Sequence, residues 1–556
     1  MIASTRPLVN RLKNTKLDGF LLTVILASFI ICLYGINWGV VESWHPDQMA
    51  FGGFLKEGKH PLNPGEFLKP PFYKYYILFL ARVPLIIFGN IFRIPTHIVD
   101  ALIMIWAGIL SIFLFLGSIV LVFQITKRSF GIFASRIVTI VYATSADIIV
   151  NSKFLTTDVP VTCGMLLAFY YCQNILLKGR LRDYVLAGFF TGIATATKYN
   201  GLAVGIAIVT AHVLSLNSVS WKKLLLSKNL ALGLLTVFFG FFVGNPFALF
   251  DYSTFISDFL YNNAITPVYT GETGNSYWEF IALIPTIIGW PAFCIFSIAV
   301  LISLYLVFSD KENWMEKKAM LLLISVVVLY YLKFGSFPRV VPRFILPIVP
   351  LLLIMSSPLW NRLKSYKKVI SIFLVFLIGY NTICSIYAVR RFVEDPRMIA
   401  REWVKVNIPK GSSVEQTVYS PNMEKLPEMK FISQKMPFIG GRKRVFEQQF
   451  KDSESLVEKI PLAEKEADDA WYSLDQLMIR KPDYILLNSF YYGRFTTGRS
   501  GEYYPSVKQF FNDLIDEKYP YKIIFDQRTK APPSWVYPQK IQFLQNRMII
   551  LARKDT

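Results

Sequence analysis

Between Phe20 and Val389 the chain returns repeatedly to apolar runs close to the ~20 residues that a helix needs to cross the hydrocarbon core of a bilayer. About eleven spans are expected on that measure, near residues 19–38, 97–124, 131–150, 159–177, 184–197, 200–216, 228–246, 279–308, 319–335, 343–358 and 369–389. A chain that is 53% hydrophobic and 15% aromatic is too apolar to be soluble at this length. The fold class is an α-helical polytopic membrane protein.

Charge orients the spans. A basic N-terminus (Arg6, Arg11, Lys13, Lys16) precedes the first run, which lacks a small-residue cleavage site and is expected to stay as a helix. With that end in the cytoplasm, alternate connections should be basic, and they are: Lys127/Arg128, Lys178/Arg180/Arg182, Lys222/Lys223/Lys228, Lys311/Lys317/Lys318 and Arg362/Lys364/Lys367/Lys368. The net charge of +21 is thereby assigned to the inner membrane surface, not to nucleic acid. All five cysteines lie in apolar stretches without a metal-ligand spacing, which predicts neither disulfides nor a zinc site.

The same topology puts the first loop (39–96) and everything after 389 outside. Two domains are expected: 1–389 in the membrane, and 390–556, which loses its long apolar runs, as a soluble α/β domain. Its candidate strands are Ser413–Tyr419, Tyr484–Asn488, Lys522–Phe525 and Met548–Ala552, with helices near Pro396–Asn407 and Ser506–Glu517.

Unusual polar residues collect on the outer face. Asp47, in Pro46-Asp47-Gln48 just after the first span, is an ionisable group beside low-dielectric surroundings, suited to act as a base or else a solvated loop acid. Lys69 sits before Pro70 and Pro71, which stiffen the backbone, and a run of aromatics that includes Tyr73. The lysine can neutralise a lipid phosphate or snorkel, and the aromatics can sit among headgroups or stack on a sugar. In Thr156-Thr157-Asp158-Val159-Pro160 the acid serves a site, caps a helix, or does both. Lys198-Tyr199-Asn200-Gly201 interrupts an apolar stretch, and a lysine there needs a phosphate or carboxylate partner. Arg339 and Arg343 are candidates for two-pronged phosphate binding or for snorkelling at the interface.

Asp47, the segment Lys69–Tyr73, the Thr-Asp-x-Pro motif Thr157–Pro160, Lys198–Gly201 and the Arg-aromatic-x-Leu-Pro segment Arg343–Pro347 together resemble the polyprenyl-phosphate-dependent glycosyltransferases of the GT-C superfamily. The similarity lies with the protein O-mannosyltransferase-like branch that includes lipid A aminoarabinose transferases, and covers about residues 19–389. The family usually has Asp-Glu at the first acid, where this chain has Asp47-Gln48. The resemblance implies amphipathic helices in the first loop, here about Asp47–Lys56 and Pro71–Leu80, an outward-opening cavity and an external C-terminal domain.

It also implies a chemistry: inverting transfer of a sugar from a polyprenyl-phosphate donor to a glycan, lipid or protein acceptor. Asp47 is the expected base and Asp158 orients the sugar or that base. Lys69, Lys198 and Arg343 bind the donor phosphate, with Tyr73, Tyr199 and Arg339 as further substrate contacts. No obligatory cofactor is expected, although the two acids are hard oxygen ligands open to a divalent metal. The expected location is a bacterial inner membrane. The alternative is a flippase of lipid-linked sugars, which a basic cavity would also serve.

Overall fold

The computed structural model of the chain describes residues 18–40, 42, 44, 45, 63–216, 227–265, 275–310, 313–439, 469–498, 500–541 and 543–555. Asp47, the expected helix Asp47–Lys56, and Lys222, Lys223 and Lys311 lie outside them.

The first half is helical. The helices used below are α1 (Gly19–Leu33), α2 (Ala146–Lys153), α3 (Asp158–Lys178), α4 (Leu181–Thr197), α5 (Lys228–Gly244), α6 (Trp314–Gly335) and α7 (Lys367–Val393). Among the described residues five stretches are long and apolar enough to cross a membrane: Thr96–Phe130, α3, Trp290–Ser309, α6 and part of Val349–Asn407. A sixth is a bent pair, Ile132–Ala143 with α2, which turns by 59°. The protein is an integral membrane protein.

The count differs from about eleven chiefly because the helices over several expected spans are short, Gly19–Leu33, Tyr199–Ser215 and Lys228–Gly244 falling among those of 10–17 residues, and other runs are broken into pieces. The run 343–358 is three short helices, Pro342–Ile345, Val349–Met355 and Ser357–Arg362, each with a proline in its first turn. A proline there has no N–H to give to a preceding turn, so each short helix starts afresh. The run 279–308 breaks at Gly289, whose φ of 88° is a left-handed conformation. The expected helix Pro71–Leu80 is a π-turn, Phe72–Ile77, leading into Leu78–Ile91.

Helices α4 and α5 pack more extensively than any other helix pair among the described residues. Gly188 and Gly192, four apart, make this possible: a Cβ on Gly192 would stand 2.2 Å from the Val237 carbonyl oxygen. Small residues at this spacing let backbones meet where the hydrophobic effect cannot drive helices together. Gly192→Val is expected to cost about 1–3 kcal/mol or more through overpacking, seen as a lower unfolding temperature in detergent. An unchanged temperature would mean that α5 can move away freely.

After α7 comes a five-stranded sheet of β1 (Ser413–Gln416), β2 (Ile432–Lys435), β3 (Tyr484–Asn488), β4 (Tyr521–Arg528) and β5 (Arg547–Arg553), in the order β2-β1-β3-β5-β4. The β1–β2 and β1–β3 pairs are parallel, and β5 is antiparallel to both of its neighbours. Alternation sorts β3 and β5 onto two cores. Ile485, Leu487, Ile549 and Leu551 join the aromatics of α9 (Ser489–Thr496) and α10 (Pro505–Ile515), whereas Tyr484, Leu486, Met548 and Ile550 join Ala400 and Val404 of α8 (Pro396–Asn407). The expected α/β character is present, with β2 added at an edge.

Candidate functional site

Helices α3 and α4 are joined by only Gly179 and Arg180, so they run antiparallel and the start of α3 returns beside the end of α4. That places Asp158 against Lys198: Nζ donates to Oδ1 at 2.5 Å, with the carboxylate side chain 4% and the lysine 25% exposed. The lysine's carboxylate partner is therefore inside the protein. Asp158 opens α3, but Thr157 makes no side-chain cap; instead the Thr162 hydroxyl donates to the Asp158 carbonyl at 2.7 Å. Lys198 ends α4 in an extended conformation, and Gly201 closes the following turn where a Cβ would stand 2.5 Å from the Ala194 carbonyl carbon and oxygen.

Two tethers spread outward from this pair. On one side the Lys198 ammonium lies 5.4 Å from the centre of the Phe344 ring. The Asn200 amide donates to the Tyr330 hydroxyl of α6 at 2.7 Å, and that hydroxyl donates to the Phe344 carbonyl at 2.7 Å. The segment carrying half-buried Arg343 is thus fastened to the segment carrying Lys198. On the other side the Tyr199 hydroxyl donates to the Phe67 carbonyl at 2.7 Å, while the Phe67 N–H donates to Asp258 at 2.7 Å. Exposed Lys69 follows two residues later.

Asp158, Lys198 and Tyr199 are therefore connected by hydrogen bonds to the segments that carry Lys69 and Arg343. Arg339 lies exposed next to Val340, whose N–H reaches Glu279 at 3.4 Å. Tyr73 is not at a headgroup surface: it is buried among Met104, Ala107 and Leu155. Asp47 lies outside the described residues, although its neighbour His45 is buried between Phe154 and Phe543, at ring distances of 4.7 and 4.4 Å.

Sequence reasoning passed over several residues here. Asp147 of α2 is buried, and its Oδ2 has no hydrogen-bond partner among the described residues. A lone acid within an apolar run was the available signal. Glu42 of the first loop accepts the Asn422 N–H at 2.6 Å and lies 3.7 Å from Arg401. Burial pushes its carboxyl above the ordinary value, while the Asn422 N–H and the Arg401 charge pull it back. Asp258 and Tyr330, polar groups that order the region from two other helices, gave no motif. No group of three or more His, Cys, Asp or Glu able to hold a metal occurs among the described residues.

Comparison with known proteins gives a family-model match over part of the chain and distant structural likenesses. No curated protein matches the chain. ArnT from Cupriavidus metallidurans, in its crystal structure bound to undecaprenyl phosphate, is 14% identical, with 69% of this chain and 71% of that one covered, at a TM-score of 0.43. The archaeal oligosaccharyltransferase AglB from Archaeoglobus fulgidus, in complex with an inhibitory peptide and a dolichol-phosphate, is 12% identical over 93% of this chain and 80% of that one, at a TM-score of 0.44. The Archaeoglobus fulgidus oligosaccharyltransferase complex with Zn and sulfate is 11% identical over 93% and 79%, at 0.45. Residues 86–244, from the end of the first loop through α5, match the family model described as dolichyl-phosphate-mannose-protein mannosyltransferase.

Proposed function

We propose that this protein is a membrane glycosyltransferase that moves a sugar from a polyprenyl-phosphate donor to an acceptor outside the cytoplasm, with inversion. The observation that carries the reading is the buried Asp158–Lys198 pair, tied on one side to the Arg343 segment and on the other to the Lys69 segment. A carboxylate bonded to one cation, with two more cations on segments tethered to the pair, suits a reaction in which a sugar is held while a phosphate departs.

In the proposed step an acceptor hydroxyl attacks the anomeric carbon. The new carbon–oxygen bond forms as the bond to the phosphate oxygen breaks, and its electron pair leaves with polyprenyl phosphate. Asp47 takes the acceptor proton, and Lys69 and Arg343 stabilise the charge growing on the phosphate. Guanidinium suits two oxygens at once, whereas the ammonium acts as a point charge. Lys198 has three N–H donors, so the bond to Asp158 leaves it capacity for a phosphate oxygen, and Asp158 in turn orients the sugar or the base. Such a leaving group needs little protonation, so cations replace an acid. The acceptor classes remain glycan, lipid and protein, the membrane is proposed to be a bacterial inner membrane, and residues 390–556 form an external domain.

The test is release of undecaprenyl phosphate by purified protein and a membrane extract from a panel of radiolabelled undecaprenyl-phosphate sugars: mannose, glucose, galactose and aminoarabinose. Release from one donor together with labelled acceptor is expected. Donors that stay intact while crossing between leaflets would replace this reading with that of a flippase.

A further inference from the structure

The span that bends by 59° carries an acid just past its bend: Asp147 is the second residue of α2. An ionisable group inside a span is costly, and those that persist face an interior and meet a partner there. Asp147 Oδ2 is buried without a hydrogen-bond partner among the described residues. The charge that reaches it is that of Asp158, which has the same sign and repels it. Asp147 keeps 7% of its surface exposed, so it is not sealed off.

A second polar group comes from the far end of the chain. Tyr537 is buried in one cluster with Ala146 and Val150 of α2. Its ring stacks on Tyr380 of α7, with centres 5.7 Å apart and planes at 27°, and the Tyr380 hydroxyl donates to the Trp535 carbonyl at 2.7 Å. A Cβ on Gly289 would overlap the Tyr537 ring, so the glycine that breaks the run 279–308 also makes room for it. The Tyr537 hydroxyl makes no hydrogen bond of ordinary geometry among the described residues; it faces the Ala146 N–H and lies near the Asp147 carboxylate.

Buried groups left unpaired cost stability, and a chain that needed only packing here would do better with Leu and Phe. Their chemistry says what completes them. Two neighbouring carboxylates repel a phosphate, which separates this spot from Lys69 and Arg343. A carboxylate beside a phenol suits hydroxyls, which donate to the first and exchange hydrogen bonds with the second.

We propose that Asp147 and Tyr537 form a subsite for the hydroxyls of the donor's sugar, so that the C-terminal part of the chain supplies a residue to the site in the membrane part. This rests on the reading that the protein takes polyprenyl-phosphate sugars.

The experiment compares equilibrium binding of the radiolabelled undecaprenyl-phosphate sugars of the panel with binding of undecaprenyl phosphate alone, using the purified full chain in detergent. Asp147→Leu, which removes the acceptor at similar size, is expected to raise the Kd of the preferred sugar lipid about tenfold to a hundredfold. Tyr537→Phe is expected to raise it about fivefold. The Kd of undecaprenyl phosphate should stay within about twofold in both. The unfolding temperature of Asp147→Leu without ligand should hold or rise, because an unpaired buried carboxylate is gone.

Unchanged binding of every sugar lipid, or equal weakening with and without the sugar, overturns the subsite. So does a lower unfolding temperature with binding unchanged, which would mean that the two groups serve only packing. If Asp147→Leu does not fold, Asp147→Asn takes its place, with a smaller loss expected because the amide oxygen still accepts. The two readings fail separately. Sugar-dependent loss of binding in a protein that leaves every donor intact keeps the subsite and removes the transferase, whereas transfer that is indifferent to both variants does the reverse.

Discussion

Replacing Asp158 with Ala is expected to abolish measurable transfer and to destabilise the protein by about 3 kcal/mol, the low end for leaving one partner of a buried pair uncompensated, because Lys198 is a quarter exposed and can reach water. The two losses have different origins and can be separated. In Asp158→Asn/Lys198→Met no charge remains to be compensated, so much of the stability should return, whereas the group that orients the sugar or base is still gone. Thermal unfolding in detergent would report the first effect and donor cleavage the second. A double variant that regained both stability and wild-type transfer would reduce the pair to a structural clasp. The tether through Tyr330 gives the outcome further reach, because loosening Lys198 also loosens the Phe344 carbonyl and the arginine beside it.

Asp47→Asn should lower kcat by about a hundredfold to ten-thousandfold, the range for removing a general base, with little change in donor KM. The amide has nearly the shape of the carboxylate and cannot take up the acceptor's proton. Asp47→Glu keeps the chemistry and moves it by one methylene, so it should retain part of the rate. If Asp47→Asn transferred sugar as fast as the wild type, another acid would have to be the base, and Asp147, buried with an oxygen that has no hydrogen-bond partner among the described residues, is the next candidate.

Much of the secondary structure was legible because its signals are local. Hydropathy over about 20 residues marks a helix in lipid, and alternation marks β3 and β5, whose odd and even residues enter separate cores. The helix Pro396–Asn407 and the strand Tyr484–Asn488 lie where the residue pattern puts them. Strand Ile432–Lys435 escaped notice because it pairs at an edge and leaves most of its residues exposed, with no apolar alternation to see. The bend between Ala143 and Ala146 escaped because a hydropathy average is indifferent to a 59° change of direction.

The Asp158–Lys198 contact stands between these cases. Two helices joined by a two-residue connection must return on themselves, so the lengths of α3 and α4 already bring a residue at the start of one near the end of the other. Its continuation to Phe344 and Phe67 does not follow from any local pattern, nor does the choice of Asn200 and Tyr199 as the linking groups.

Composition, spacing and charge asymmetry along the chain suffice for an integral membrane protein with a C-terminal α/β part and for the residue types of its candidate site, because each depends on neighbours within a turn or a strand. Tertiary packing alone determined that Tyr73 is buried, that the Lys198 segment is fastened to the Phe67 and Phe344 carbonyls through Tyr199, Asn200 and Tyr330, and that Arg397 closes over Trp38 and Trp44. Those outcomes depend on which surfaces meet after the helices have formed, and a contact across 357 positions leaves no periodicity in the chain to announce it.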